Sequence, residues 1–301
     1  MPIYRSLMGA VKGPVALGIR AIFGYGIASG ISSLTNLVSS AGVVSTDTTG
    51  VGTARYSLAA ARYGTDKALF GYGSNGTINT SLTNKVSNTG VVSTDTTGVG
   101  TARQSLAAAG YGTDKAVFGY GFTTVNVSMT NKVSNTGVVS TDTTGVGTAR
   151  QSLAAAGYGT DKAVFGYGGA GVVTSLTNKV SNTGVVSTDT TGVGTARTHS
   201  AAAGYGTDKA VFGYGSTAVN VSMTNKVSNT GVVSTDTTGV GTARNQIAAS
   251  SYGTDKALFG YGNTTVAVSL TNLVSSAGVV STDTTGVGAG RRWLAASSYG
   301  S

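Results

Sequence analysis

The 301 residues include no cysteine and no glutamate, only 2 prolines, 1 histidine and 1 tryptophan, and charged residues make up just 10%. Each scarcity excludes something. Without cysteine there are no disulfides, thiolate metal sites or cysteine nucleophiles, while the compartment stays open because a secreted chain need not carry cysteine. With all 11 acidic residues aspartate and the strong helix formers sparse, helix bundles and coiled coils are out. A single histidine cannot build a histidine metal site. No apolar run approaches the roughly 20 residues that a membrane-spanning helix requires, so no membrane span is expected. What is abundant is glycine, 47 residues against a usual share of about 7%, together with Thr, Ser and Val. That composition favours short strands joined by tight turns. Hydrophobic residues at 40% suffice for a core.

The chain repeats itself. STDTTGVG occurs six times, with its aspartate at Asp47, Asp95, Asp142, Asp189, Asp236 and Asp283, at spacings of 48 and then 47 residues. FGYG also occurs six times, starting at Phe23, Phe70, Phe118, Phe165, Phe212 and Phe259. Thr83 to Gly121 equals Thr130 to Gly168 residue for residue, which points to recent duplication. One repeat reads as four strand runs. Run A is Ser105 to Ala109, and a turn at Gly110 to Asp114 leads to run B, Lys115 to Tyr120. In run C, Val125, Val127 and Met129 alternate with polar residues, the period of a half-buried strand. A turn at Ser134 to Gly137 then opens run D, Val138 to Thr143.

The two ends are complementary. The last copy stops at Tyr299-Gly300-Ser301 and supplies an A run without B, whereas the first, from Arg20 to Gly26 onward, supplies B, C and D without A. An open solenoid needs atypical polar caps, while complementary fragments are what a ring needs to close on itself. Six units of about 47 residues match the usual length of a four-stranded propeller blade. The expected fold is therefore an all-β, six-bladed β-propeller of four-stranded blades over residues 19–301, closed by pairing of the N- and C-terminal strands in one composite blade, with residues 1–18 as a separate docking segment.

At residue level the repeat resembles the kelch motif: Ala149-Arg150, small apolar residues, a turn, an apolar strand ending in glycine (Lys162 to Gly168), an alternating strand, and Asn182-Thr183 at the last turn. Kelch repeats usually end the second strand in a double glycine and carry a tyrosine on C and a tryptophan on D. Here the glycines are split as Gly-Tyr-Gly, and the lone Trp293 precedes run A. The near-identical repeats also resemble kelch-like propellers of marine bacteriophages, found among virion structural proteins. That resemblance implies a virion component, a capsid decoration or tail appendage, whose localisation is the virion. The alternative is an extracellular, secreted or cell-surface carbohydrate-binding propeller.

No catalytic set emerges. The copper oxidases among kelch-like propellers need a cysteine-modified tyrosine and histidine ligands, which this chain lacks. Asp-Thr-Thr-Gly is superficially like the aspartic-protease motif, but the extra threonine breaks it, and a strand-end aspartate bonding turn amides explains it better. Two GxGxxG matches, at Gly71 to Gly76 and Gly166 to Gly171, open no helix and read as hairpin glycines. Enzyme activity is not expected, nor is any cofactor or metal. The net charge of +9 is spread as rings of Arg and Lys, with no stripe or tail, so no specific nucleic-acid partner is expected, though an anionic surface could be attracted.

The repeats differ mainly at two places: the pair after the repeat arginine, and the B–C connection. In an antiparallel unit these emerge on one face, and loops on a fixed scaffold commonly carry binding. Tyr56, Gln104, Gln151, His199, Gln246, Arg292 and Trp293 are thus the candidate binding face, with a host-surface glycan as possible ligand; relaxed drift in exposed loops explains the same differences equally well. The N-terminal segment, with Ile3, Tyr4, Leu7, Met8 and Val11, is a poor secretory signal because Lys12, Gly13 and Pro14 interrupt it. Leading into run B, it is expected to leave from the opposite face and to anchor the protein to other virion proteins.

Overall fold

The computed structural model describes residues 18–301. The anchoring residues Ile3, Tyr4, Leu7, Met8 and Val11 lie outside that range. Within it the chain is all-β, with eighteen strands and no helix. In chain order these are β1 (Arg20–Gly24) and β2 (Thr35–Val38); β3 (Ala59–Tyr63), β4 (Lys67–Gly71) and β5 (Thr83–Val86); β6 (Ala107–Tyr111), β7 (Lys115–Phe122) and β8 (Asn126–Val133); β9 (Ala154–Tyr158), β10 (Lys162–Gly166) and β11 (Thr177–Val180); β12 (Ala201–Tyr205), β13 (Lys209–Ser216) and β14 (Asn220–Val227); β15 (Ala248–Tyr252), β16 (Lys256–Gly260) and β17 (Thr271–Val274); and β18 (Ala295–Tyr299).

They form six three-stranded antiparallel sheets in a repeated arrangement compatible with a propeller. Five sheets take consecutive strands, and the sixth is β18-β1-β2, in which the last strand pairs with the first from Arg20 opposite Tyr299 to Gly24 opposite Ala295. The innermost strands β3, β6, β9, β12, β15 and β18 each neighbour the next, and β18 neighbours β3, so the order of sheets returns to its start.

Run D, expected as a fourth strand, is not a continuous ladder. In each unit it touches run C at two isolated bridges, such as Thr83 with Thr96 and Val86 with Val92. Between them Ser93 donates its N–H to the Lys85 carbonyl at 2.8 Å, while its Oγ accepts from the Lys85 N–H. The Ser and Thr hydroxyls of this run compete for backbone groups, which breaks the regular ladder.

Packing lies between sheets. Phe118 on β7 meets Tyr72 of the preceding sheet with ring centroids 5.1 Å apart at 60°, and the same edge-on contact recurs around the molecule. The Gly-Tyr-Gly sequence follows from this packing. A Cβ at Gly119 would stand 2.7 Å from the Phe165 ring of the next sheet, and Gly121, at φ 113°, closes the bulge that Tyr120 makes in the β7–β8 register. Two cycles of backbone bonds then tie the sheets together. On the A–B turn side, Gly112 N–H donates to Asp161 O, Gly159 to Asp208 O and Gly206 to Asp255 O; at the composite sheet Gly253 donates to Ile19 O, and Gly300 then donates to Asp66 O.

Candidate functional site

The repeat arginines build the wall behind the candidate face. All six are fully buried. Arg150 donates from Nε to Tyr167 O at 2.9 Å, from Nη1 to Thr148 O at 3.1 Å and from Nη2 to Asn178 Oδ1 at 2.5 Å, and its guanidinium lies 4.5 Å from the Tyr120 ring centroid of the preceding sheet. Asp189 lies 3.5 Å from its Nη1. Burial lowers the arginine pKa, while Tyr120 and Asp189 act against it. Burial likewise pushes the Tyr120 hydroxyl up to about 12, with Arg150 opposing. The aspartate of the repeated motif accepts from the Thr148 N–H and hydroxyl, at 2.9 and 2.6 Å, so it fastens the linker between sheets. Its role is the structural one expected from the sequence.

Next to this wall, the variable pair divides. The first member pairs outward with the B–C connection: Tyr56 bridges Ser74, Gln104 bridges Phe122, Gln151 bridges Gly169, and Arg292 bridges Ile27. The two places where repeats differ are therefore joined on one face. The second member turns inward. Ser57, Ser105, Ser152, His199, Gln246 and Trp293 all take φ between 52° and 56°, the left-handed region that side-chain-bearing residues seldom adopt. The reason is a closed cycle of hydrogen bonds: each N–H donates to the carbonyl of its counterpart on the preceding sheet, from Ser105 to Ser57, Ser152 to Ser105, His199 to Ser152, Gln246 to His199, Trp293 to Gln246, and finally Ser57 to Trp293, at 2.8–3.1 Å. Six strained residues are held because the cycle satisfies their backbone groups.

These six ring the mouth of an axial cavity of about 120 Å³. A second cavity of about 410 Å³ lies toward the A–B turns, and Ala60, Ala108, Ala155, Ala202, Ala249 and Ala296 line both. At the mouth, Trp293 and Tyr56 rings meet at 5.7 Å, and the Arg292 guanidinium sits 5.0 Å from the Trp293 centroid. Arg292 is further held to Asn263 Oδ1 at 3.3 Å. The structure thus brings Tyr56, Arg292 and Trp293 into one cluster across the closure, and puts Gln246 on the mouth beside Trp293 with His199 one place further along; Gln104 and Gln151 lie farther round, on the outer row.

One contact escaped the sequence reading. Ser152 Oγ and His199 Nε2 are 3.1 Å apart, a nucleophile and base within reach. The only signal available was the 47-residue spacing, which makes equivalent positions neighbours around a ring. The pair is poorly equipped for acyl transfer: the partner of His199 Nδ1 is the Thr198 hydroxyl at 3.2 Å rather than a carboxylate, and the mouth N–H groups that could serve an oxyanion are spent on the backbone cycle. Burial pushes the His199 pKa down, which keeps the ring neutral. Among the described residues no cluster of three or more His, Cys, Asp or Glu could hold a metal, and no helix is long and apolar enough to cross a membrane.

No family model matches the chain, and no curated protein is significantly similar to it.

Proposed function

We propose that the protein is a non-enzymatic recognition module: a six-bladed, kelch-like β-propeller in which each run D is the fourth strand of a blade, serving as a virion structural protein attached through residues 1–18. The observation that carries the recognition reading is the Tyr56–Trp293–Arg292 cluster at the axial mouth. Two aromatics in tilted contact, their planes at 42°, beside a guanidinium offer apolar surface and donors, which suit the C–H face and hydroxyls of a sugar ring. The closed cycle of backbone bonds supports the ring that displays them.

The test exploits the repeats. Serine occupies the Trp293 position in three copies, so Trp293→Ser keeps a residue that this backbone accepts. Combined with Arg292→Gln, it should abolish binding in a glycan-array or host-cell assay while shifting Tm by only a few degrees. Binding unchanged beside a strongly depressed Tm would make the cluster a closure filler and overturn the reading. Attachment is tested separately, since a chain lacking residues 1–17 should be absent from particles that incorporate the full chain. A glycan-binding protein that copurifies with no particle would favour the extracellular alternative, which the same cluster supports.

A further inference from the structure

The charge is sorted by the fold. Five aspartates sit in the A–B turns, each ion-paired with the lysine that follows it, at 2.6–3.3 Å. The other six belong to the run D motif on the repeat-arginine wall. Four of these six, Asp142, Asp189, Asp236 and Asp283, lie within 4 Å of a repeat arginine; in number the 11 acids equal the five turn lysines plus the six repeat arginines, so the surplus of +9 corresponds to nine other basic residues. Arg5 and Lys12 lie outside the described residues. Arg292 is on the mouth side. The remaining six, Arg20, Arg62, Lys85, Lys132, Lys179 and Lys226, are all on the face of the A–B and C–D turns, and none forms an ion pair among the described residues.

Four of them form a crescent. Lys85, Lys132, Lys179 and Lys226 occupy the same place on four consecutive sheets, and each donates to a carbonyl of the next C–D turn, Thr136, Thr183, Thr230 and Ala277, at 3.0 Å. Two residues beyond each of those carbonyls stands a valine that is 60–62% exposed: Val138, Val185, Val232 and Val279. Each of these four turns therefore has an ammonium group bonded to it and an exposed isopropyl group two residues on. The composite sheet and the sheet before it carry Leu37 and Leu273 instead of lysine, so the fold does not require the charge.

We propose that this face docks a protein surface rich in carboxylates. The juxtaposition of four carboxylate-free lysines with four exposed valines fits a partner presenting acids between apolar side chains, whereas a phosphate backbone or a lipid headgroup layer would answer the charge and leave the valines unmatched. The inference goes beyond the recognition reading, which concerns the opposite face, and survives its failure.

The test compares the full chain with two variants, binding immobilised poly-L-glutamate at low salt, with duplex DNA and phosphatidylglycerol vesicles as parallel probes. Lys→Leu at positions 85, 132, 179 and 226 reproduces what two sheets already contain and should weaken poly-L-glutamate binding by about tenfold or more, with Tm preserved. Should the leucines change the melt, Lys→Gln at the same positions takes their place. Lys→Arg should retain binding. Equal binding by the neutral variant would overturn the proposal, and so would tighter binding of the full chain to DNA or to the vesicles.

Discussion

The junctions between internal sheets and those flanking the composite sheet use the same parts with unequal completeness. At an internal junction, Arg150 has partners on Nε, Nη1 and Nη2, and Thr148 gives Asp189 both its N–H and its hydroxyl. At the closure Ala289 stands where the other copies have threonine, so Asp47 keeps the Asn36 amide and the Ala289 N–H, each at 2.9 Å, but lacks the hydroxyl. Arg291 bonds Leu34 O and Asn36, with its Nε unpartnered, and Arg55 bonds Asn84 alone, leaving Nε and Nη1 without partners. Literal duplication perfected the internal contacts together, whereas the closure joins two ends that drifted apart. The ring should open there first, and four experiments can break or sharpen that contrast.

The largest effect is expected from deleting residues 294–301, which removes β18 and leaves β1 as a bare edge. The variant should aggregate or lose its cooperative melt; a monomer with unchanged Tm would show that closure through β18 and β1 is dispensable. Next, Arg150→Ala should cost about 3–5 kcal/mol, because it strips a buried cation from Asn178, Asp189 and Tyr120. Arg291→Ala should cost less, since its junction is already incomplete, and equal losses in denaturant unfolding would refute the contrast. Third, Ala289→Thr should stabilise the protein by about 1 kcal/mol by returning a hydroxyl to Asp47, while Thr148→Ala should lose a similar amount.

The smallest effects are in pH dependence. Burial alone would raise the carboxyl pKa of Asp95, Asp142, Asp189, Asp236 and Asp283, but hydrogen bonds from Thr and Asn and the nearby arginine outweigh it and hold each below the usual range. A depressed folded pKa contributes stability present above the unfolded value of about 3.9 and lost as pH falls through the folded one. Stability should therefore decline below about pH 4, and less steeply in Thr148→Ala. His199 has the same sign in a higher window: its buried neutral ring contributes stability above about pH 6.5 that is lost as pH falls through its lowered pKa. His199→Ser should flatten the Tm profile between about pH 5 and 7, and an unchanged slope would place the titration elsewhere.

Much of this was legible without coordinates. Repeat length, strand runs and complementary ends follow from literal self-similarity: a side-chain pattern repeated six times must be buried six times in the same way, so Phe118 and Tyr120 stand for all their counterparts. Run D was legible as extended chain but not as a broken ladder, because the competition of Ser93 for both backbone groups of Lys85 depends on where those groups lie.

The sequence by itself determined the all-β class, the six-fold periodicity and the grouping of variable positions at two loops, because alternation, turn glycines and spacing are properties of the chain alone. Three things waited for the tertiary structure. The inward turn of Trp293 and His199 comes from a left-handed backbone that no glycine marks, imposed by a hydrogen-bond cycle running through all six sheets. The approach of Ser152 to His199 spans 47 residues. The uneven spread of the charge arises because the repeat arginines are buried beside the run D aspartates, leaving only Arg292 as surplus on the mouth side and, among the described residues, four lysines without an ion pair on the other.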